Sequence, residues 1–267
     1  MDLVKCGKIT CLQAGWSQEG SVVAGVSTRN GGLSRPPYNS LNLSTNTDDP
    51  EYNVEGNRST FLNEFGVSMH HLLLVKQVHG TDVLVVDSKN HDVSHFQDVA
   101  ADAIVTNQPN LMIGVLVADC FPVILFDPIK KVSAAIHVGW RGAAQGIVGK
   151  AIEAMTEEFG CDIKEIKAMV GPGISADYYL VGKDVRNAFR TGAGDWNDIA
   201  EEVELGLWKL DIQRSIDLQL AAAGIVGKQR EMSDLCTWKQ RELFFSYRRD
   251  EGKTGRQLGF IMFQDNA

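Results

Sequence analysis

Met112-Ile113-Gly114-Val115-Leu116-Val117-Ala118-Asp119-Cys120-Phe121-Pro122-Val123-Ile124-Leu125-Phe126-Asp127-Pro128-Ile129-Lys130-Lys131-Val132-Ser133-Ala134-Ala135-Ile136-His137 is the stretch that decides the fold class. Three short apolar runs, at 112–118, 121–126 and 131–137, are separated by Asp119-Cys120 and by the turn formers Asp127-Pro128-Ile129-Lys130, so three strands are expected. Their near-continuous apolar character is that of strands covered on both faces. Gly139-Trp140-Arg141-Gly142 then punctuates the chain. Residues 143–159 follow as a helix, with Ile147, Ala151, Ala154 and Met155 at helical spacing.

Working outward, Asp48-Asp49-Pro50 opens an expected helix over 48–62, and strands are expected at 72–78 and 82–87. Further helices are expected at 183–190 and 211–223, ahead of a C-terminal segment with apolar runs at 243–247 and 258–263. The stretch 27–42 reads as a long ordered loop rich in turn formers. Strands and helices mix without a steady βαβ rhythm, which favours α+β over a doubly wound parallel sheet. No repeat, low-complexity tract or Pro/Ser-rich linker divides the 267 residues, so a single domain over 1–267 is expected.

The chain carries 26 Lys and Arg against 34 Asp and Glu, a formal charge of −8. That field disfavours nucleic acid and anionic membranes as partners, while leaving room for a small anion in a local basic pocket. Five scattered cysteines without a C-x-x-C pair fit neither a disulfide framework nor a zinc ribbon, and point to a reducing compartment. The first residues lack the apolar core of a signal peptide, and no apolar run approaches the roughly 18 residues of a membrane helix. The cytoplasm is the expected location.

If Asp127 to Lys130 is a four-residue hairpin loop, Phe126 pairs with Lys131 and Cys120 stands opposite His137, with Cβ atoms roughly 5 Å apart on one face. A slip of one residue would turn His137 to the other face. His79 ends another apolar run and is the candidate third ligand. Taken singly, a buried cysteine is a small hydrophobe and a strand-end histidine a hydrogen-bonded structural residue. His70, His71, His91 and His95 sit in polar surroundings and read as surface residues. A Cys/His₂ set leaves a tetrahedral ion with one open position, the arrangement of catalytic zinc, which activates water or polarises a bound oxygen. The same set suits blue copper, which also wants a weak axial methionine.

At these residues the chain resembles the laccase-domain family of the YfiH and YlmD type, once called multicopper polyphenol oxidoreductases and now regarded as purine nucleoside phosphorylases. The resemblance runs nearly end to end. It is carried by Ser27-Thr28-Arg29-Asn30-Gly31-Gly32 with Ser40-Leu41-Asn42-Leu43, by Lys76-Gln77-Val78-His79-Gly80, and by Ala118-Asp119-Cys120-Phe121-Pro122-Val123. It continues through Ala135-Ile136-His137-Val138-Gly139-Trp140-Arg141-Gly142, Gly171-Pro172, Glu242-Leu243-Phe244-Phe245-Ser246-Tyr247-Arg248-Arg249-Asp250 and Thr254-Gly255-Arg256. The resemblance implies zinc on His79, Cys120 and His137. It implies mixed β-sheets sandwiched between helices in αββα layers, similar to the catalytic domain of cytotoxic necrotizing factor toxins. It also implies phosphorolysis of adenosine, inosine, guanosine and methylthioadenosine, with adenosine deamination as a further activity. Many members carry cysteines after Gly171-Pro172, where this chain reads Gly173-Ile174-Ser175-Ala176-Asp177-Tyr178-Tyr179, so a redox role for that loop is not expected.

Phosphorolysis of an N-glycosidic bond must hold phosphate beside an oxocarbenium-like sugar and stabilise the departing purine. Arginine forks suit the phosphate, and Arg29, Arg141 and Arg248 are the candidates, with Ser246 beside the last. Asn42 and Gln77 are candidates for hydrogen bonds to ribose or base, and Asp119 for a proton carrier or a partner of the metal ligands. Catalytic roles are thus expected for Asp119, Arg248 and Asn42, and binding roles for Arg29, Gln77, Arg141 and Ser246. The nucleobase-deaminase signature, H-x-E with P-C-x-x-C, is missing, so deamination would use another layout. Two rivals stand beside this reading: a copper-dependent polyphenol oxidase and a non-catalytic, metal-stabilised binding module. A four-copper cluster asks for more histidines than the six present, and structural zinc usually takes four protein ligands.

Overall fold

The computed structural model describes residues 1–19, 21–87, 96, 98–190 and 195–264. The first sheet takes β1 (Asp2–Cys6), β2 (Ile9–Gln13), β3 (Val22–Ser27), β4 (Leu72–Leu73), β7 (Met112–Val117) and β15 (Gln257–Phe263), in the order β1-β2-β3-β15-β7-β4. The second takes β5 (Val83–Val86), β6 (Ala103–Thr106), β8 (Phe121–Asp127), β9 (Val132–Val138), β10 (Lys167–Val170) and β14 (Arg230–Met232), in the order β14-β10-β8-β9-β6-β5. Both are mixed: β4 runs parallel to β7, β5 to β6 and β14 to β10, while the central pairs are antiparallel. A small third sheet, β11 (Leu180–Val181), β13 (Leu207–Leu210) and β12 (Ala200–Glu204), has no counterpart in the sequence-based expectation.

Two-residue periodicity explains the layering. In β7, Ile113, Val115 and Val117 join a cluster shared with Ile124 and Phe126 of β8 and Ala135 of β9, which glues the two sheets face to face. Met112 points the other way, onto Phe61 and Leu62 of α1 (Glu51–Asn63) and onto Leu41 and Leu43 of the long loop. On the far face of the second sheet, Phe121, Val123, Ala134 and Ile136 meet α2 (Trp140–Ala144), α3 (Ile147–Phe159), α4 (Lys183–Phe189) and α5 (Ile212–Ala222). The chain is α+β, in αββα layers. The central strands are buried on both faces, as their composition requires.

Three local expectations change. The expected helix over 143–159 is two helices, parted at Gly146, whose φ of 75° is left-handed; α3 buries Ile147, Val148, Ala151, Ile152 and Met155. The expected strand over 72–78 is cut to Leu72–Leu73. The hairpin is displaced: Asp127 pairs with Val132 and His137 with Pro122, so the turn is 128–131. Asp127 holds it there, its Oδ1 accepting the N–H groups of Ile129 at 2.8 Å and Lys130 at 2.9 Å, while Lys131 takes a φ of 52°. The slip is an even one, so His137 keeps the face it was expected to have.

Candidate metal centre

Donor atoms of His79, Cys120 and His137 all lie within 4.8 Å of one another. His137 is delivered by β9, buried on the inter-sheet face that also carries Ala135. Cys120 is not its cross-strand neighbour, since Pro122 occupies that place. It reaches the cluster from the bend before β8, where Asp119 adopts a φ of 88° and turns the chain. His79 is exposed, follows the short β4 and takes a φ of 59°. Positive φ outside glycine is uncommon, and here it occurs at one donor and next to another. The two imidazole rings stand nearly perpendicular, at 84°, with centroids 4.7 Å apart.

Beneath both histidines lies Asp102, fully buried just before β6. Its Oδ1 is 2.7 Å from His137 Nδ1 and accepts the His79 N–H at 3.0 Å; its Oδ2 accepts the N–H groups of Val78 at 3.1 Å and Gly80 at 2.7 Å. Sequence reasoning missed this residue, because Ala100-Ala101-Asp102-Ala103 carries no motif. Burial alone would raise the Asp102 carboxyl, but His137 and the backbone donors of Gly80 and Val78 outweigh it and hold the group below its ordinary value. Burial likewise opposes ionisation of Cys120, yet His137 and His79 bring its thiol down to about 6. Against the same burial, Cys120 and Asp102 raise His137 to about 9. The donor set fits a soft, tetrahedral ion: one thiolate, two imidazoles and, among the described residues, no fourth protein ligand.

The sequence matches, over residues 23–264, the family described as multi-copper polyphenol oxidoreductase laccase. The chain belongs to this laccase family. It is 31% identical over 260 residues to a Bacillus subtilis (strain 168) protein named purine nucleoside phosphorylase YlmD, with 94% of each chain covered. It is 35% identical over 247 residues to the purine nucleoside phosphorylase YfiH of Escherichia coli (strain K12), covering 92% of this chain and 96% of that one. The crystal structure of YlmD from Geobacillus stearothermophilus superposes with a TM-score of 0.90 at 28% identity, over 98% of both chains.

Around the donors of this laccase-family chain, the expected site residues divide into two groups. Asp119 knits the rim: its Oδ1 accepts the Thr237 hydroxyl at 2.6 Å, its Oδ2 the Arg248 N–H at 2.7 Å, and its carbonyl the Ile174 N–H at 2.9 Å. Both carboxylate oxygens thus accept hydrogen bonds from the rim. The exposed Arg248 guanidinium lies 4.9 Å over the Tyr179 ring and donates to the Leu180 carbonyl at 3.2 Å. The exposed Arg141 guanidinium lies 4.1 Å over the Trp140 ring. Tyr179 is the residue these groups share. Burial and the Cys120 charge push its phenol well above the ordinary value, against the pull of Arg248 and Arg141. Arg256, quoted in the family motif but given no role from sequence, feels the charges of Cys120 and Asp119 and lies 5.3 Å over the Tyr247 ring.

The other four make their contacts within the protein. Arg29 donates to the carbonyls of Asn39 at 2.7 Å and Arg241 at 3.0 Å, pinning the 29–41 loop to the C-terminal segment. Asn42 is fully buried; its Nδ2 donates to Ser44, Thr47 and Asp49, and its Oδ1 accepts from Ser44 and Arg256. Gln77 imitates a strand, its amide trading two hydrogen bonds, at 2.9 and 2.8 Å, with the Leu116 backbone. Ser246, also fully buried, caps a turn by accepting the Arg249 N–H at 3.2 Å. Of the histidines read as surface residues, His70 and His71 are exposed, while His91 and His95 lie outside the described residues.

Proposed function

We propose that the chain is a zinc-dependent purine nucleoside phosphorylase, converting adenosine, inosine, guanosine or methylthioadenosine and phosphate to the free base and a ribose 1-phosphate derivative. The observation that carries this reading is the gathering of Arg141, Arg248 and Arg256 about Tyr179 and Cys120. Among the described residues the Arg141 guanidinium makes no hydrogen bond or ion pair, so it is available to an anion. Planar guanidinium groups bind phosphate oxygens in pairs, and their positive charge offsets that of an incoming phosphate. The names of the YlmD and YfiH relatives support the same assignment.

In the reaction, a phosphate oxygen forms a bond to C1′ as the bond from C1′ to the purine nitrogen breaks. The electron pair leaves on the base, which takes up a proton. The arginines hold the phosphate and Tyr179, kept neutral, is available to donate a hydrogen bond toward the purine. Held by His79, Cys120 and His137, zinc would supply a Lewis acid. Adenosine deamination, in which water adds at the amino-bearing purine carbon and ammonia leaves, is a second activity under the same proposal.

Copper is the alternative, because His₂Cys is also a copper ligand set and the family description names copper. A thiolate charge-transfer band and phenol oxidation in copper-loaded protein would favour it. No helix among the described residues is long and apolar enough to cross a membrane, and the five cysteines are free thiols, which supports a cytoplasmic, reducing location. The deciding experiment is incubation with inosine: hypoxanthine is expected only when phosphate is present. Release without phosphate would make the protein a hydrolase, and release of ammonia from adenosine would report the second activity.

A further inference from the structure

Asp102 takes no part in the reaction as written, yet its contacts converge on two of the three donors. Its carboxylate accepts hydrogen bonds from the backbone N–H groups of Val78, His79 and Gly80 and meets His137 Nδ1, and its carbonyl accepts the His137 N–H at 2.7 Å. Successive N–H groups turned to one side form a concavity for an anion, and His79 reaches its left-handed φ of 59° within that concavity. Take the anion away, and these donors lose their acceptor while His79 loses what holds it in an unfavourable conformation. Toward His137 the logic is chemical. An ionised carboxylate can only accept, so Nδ1 must carry the proton, and the Nε2 lone pair is left for a metal.

We propose that Asp102 is the positioning residue of the metal centre: one carboxylate holds the Nδ1 side of the His137 ring and the backbone of His79 together, so that Nε2 is the nitrogen of His137 offered to a metal. This rests on the metal reading of His79, Cys120 and His137 and is independent of which reaction the centre serves. Asp102→Asn makes the test sharp. The amide keeps the shape, but its NH₂ donates, so a group that faces His137 Nδ1 would drive the ring proton onto Nε2, the atom needed for the metal.

The measurement is zinc affinity of the full chain, by competition with a chromophoric chelator. Asp102→Asn is expected to weaken it by about 10- to 100-fold. Proton–nitrogen correlation NMR of the zinc-loaded parent, which needs no variant to fold, is expected to show His137 protonated at Nδ1 and bound through Nε2. Parent-like zinc affinity in a folded Asp102→Asn protein would overturn the proposal, as would a parent His137 bound through Nδ1. A parent that binds no zinc would overturn both this proposal and the metal reading. Weakened zinc binding in the variant together with an absence of phosphate-dependent turnover in the parent would uphold Asp102's role and remove only the proposed reaction.

Discussion

Gly139 lies so close to the Cys120 thiol that a Cβ built on it would stand 3.1 Å from Sγ, and 3.2 Å from Cδ2 of His79. Its φ of −87° is open to any residue, so glycine is needed here for space and not for backbone freedom. Gly139→Ala is therefore expected to leave the fold intact while pushing two donors apart. Zinc affinity should fall by about tenfold, equivalent to ~1.4 kcal/mol, in a chelator competition. Unchanged affinity would mean that the thiol and the imidazole yield without consequence.

Cys120→Ala removes the only thiolate among the three donors. Bound zinc, measured by elemental analysis, and phosphate-dependent turnover are expected to be lost together. Turnover that survived the loss of metal would take the metal out of the mechanism.

Arg141 and Arg248 are exposed, and neither anchors the core. A charge-assisted hydrogen bond is worth about 1.5–3 kcal/mol, so Arg248→Ala or Arg141→Ala should raise KM for phosphate roughly 10- to 100-fold. Thermal stability should move little, within about 0.5 kcal/mol. An effect on nucleoside KM alone would reassign these arginines to the other substrate.

Asn42 is expected to behave in the opposite way. Its side chain satisfies five hydrogen bonds inside the protein, so Asn42→Ala leaves the Ser44 and Arg256 N–H groups without their acceptor. Each such group costs about 1–3 kcal/mol. Denaturant unfolding should report a loss of at least that size, and a catalytic defect without one would place Asn42 in the site.

Cys6 and Cys11 face each other diagonally across the first hairpin, and the hydrogen bond from Cys11 brings the half-buried Cys6 thiol down to about 7. A thiol with a depressed value gains thiolate as pH rises through about 7, whereas the buried Cys11 is held well above its ordinary value. Alkylation mapped by mass spectrometry should therefore label Cys6 with a rate that climbs between about pH 6 and 8, and leave Cys11 untouched. Equal labelling of both would contradict this split.

Much of the fold was legible because strand and helix signals are local. The apolar runs of β7, β8 and β9 and the stripe of α3 are properties of near neighbours in the chain. The gathering of His79, Cys120 and His137 was legible too, through chemistry-bearing residues at strand ends and the family motifs around them. The hairpin register was missed by an even step because Asp127, an ordinary turn former by composition, caps the turn from inside the last strand pair.

What only the tertiary structure decided is who partners whom. Asn42 meets Arg256 across 214 residues, Gln77 meets Leu116 across 39, and Asp102 meets His137 across 35. A polar side chain reads the same in sequence whether it faces a substrate or a backbone, since its residue type sets what it can donate and accept. Which role it takes depends on the segment brought opposite it, and that is settled by burial of the apolar faces in layers, not by the residues on either side.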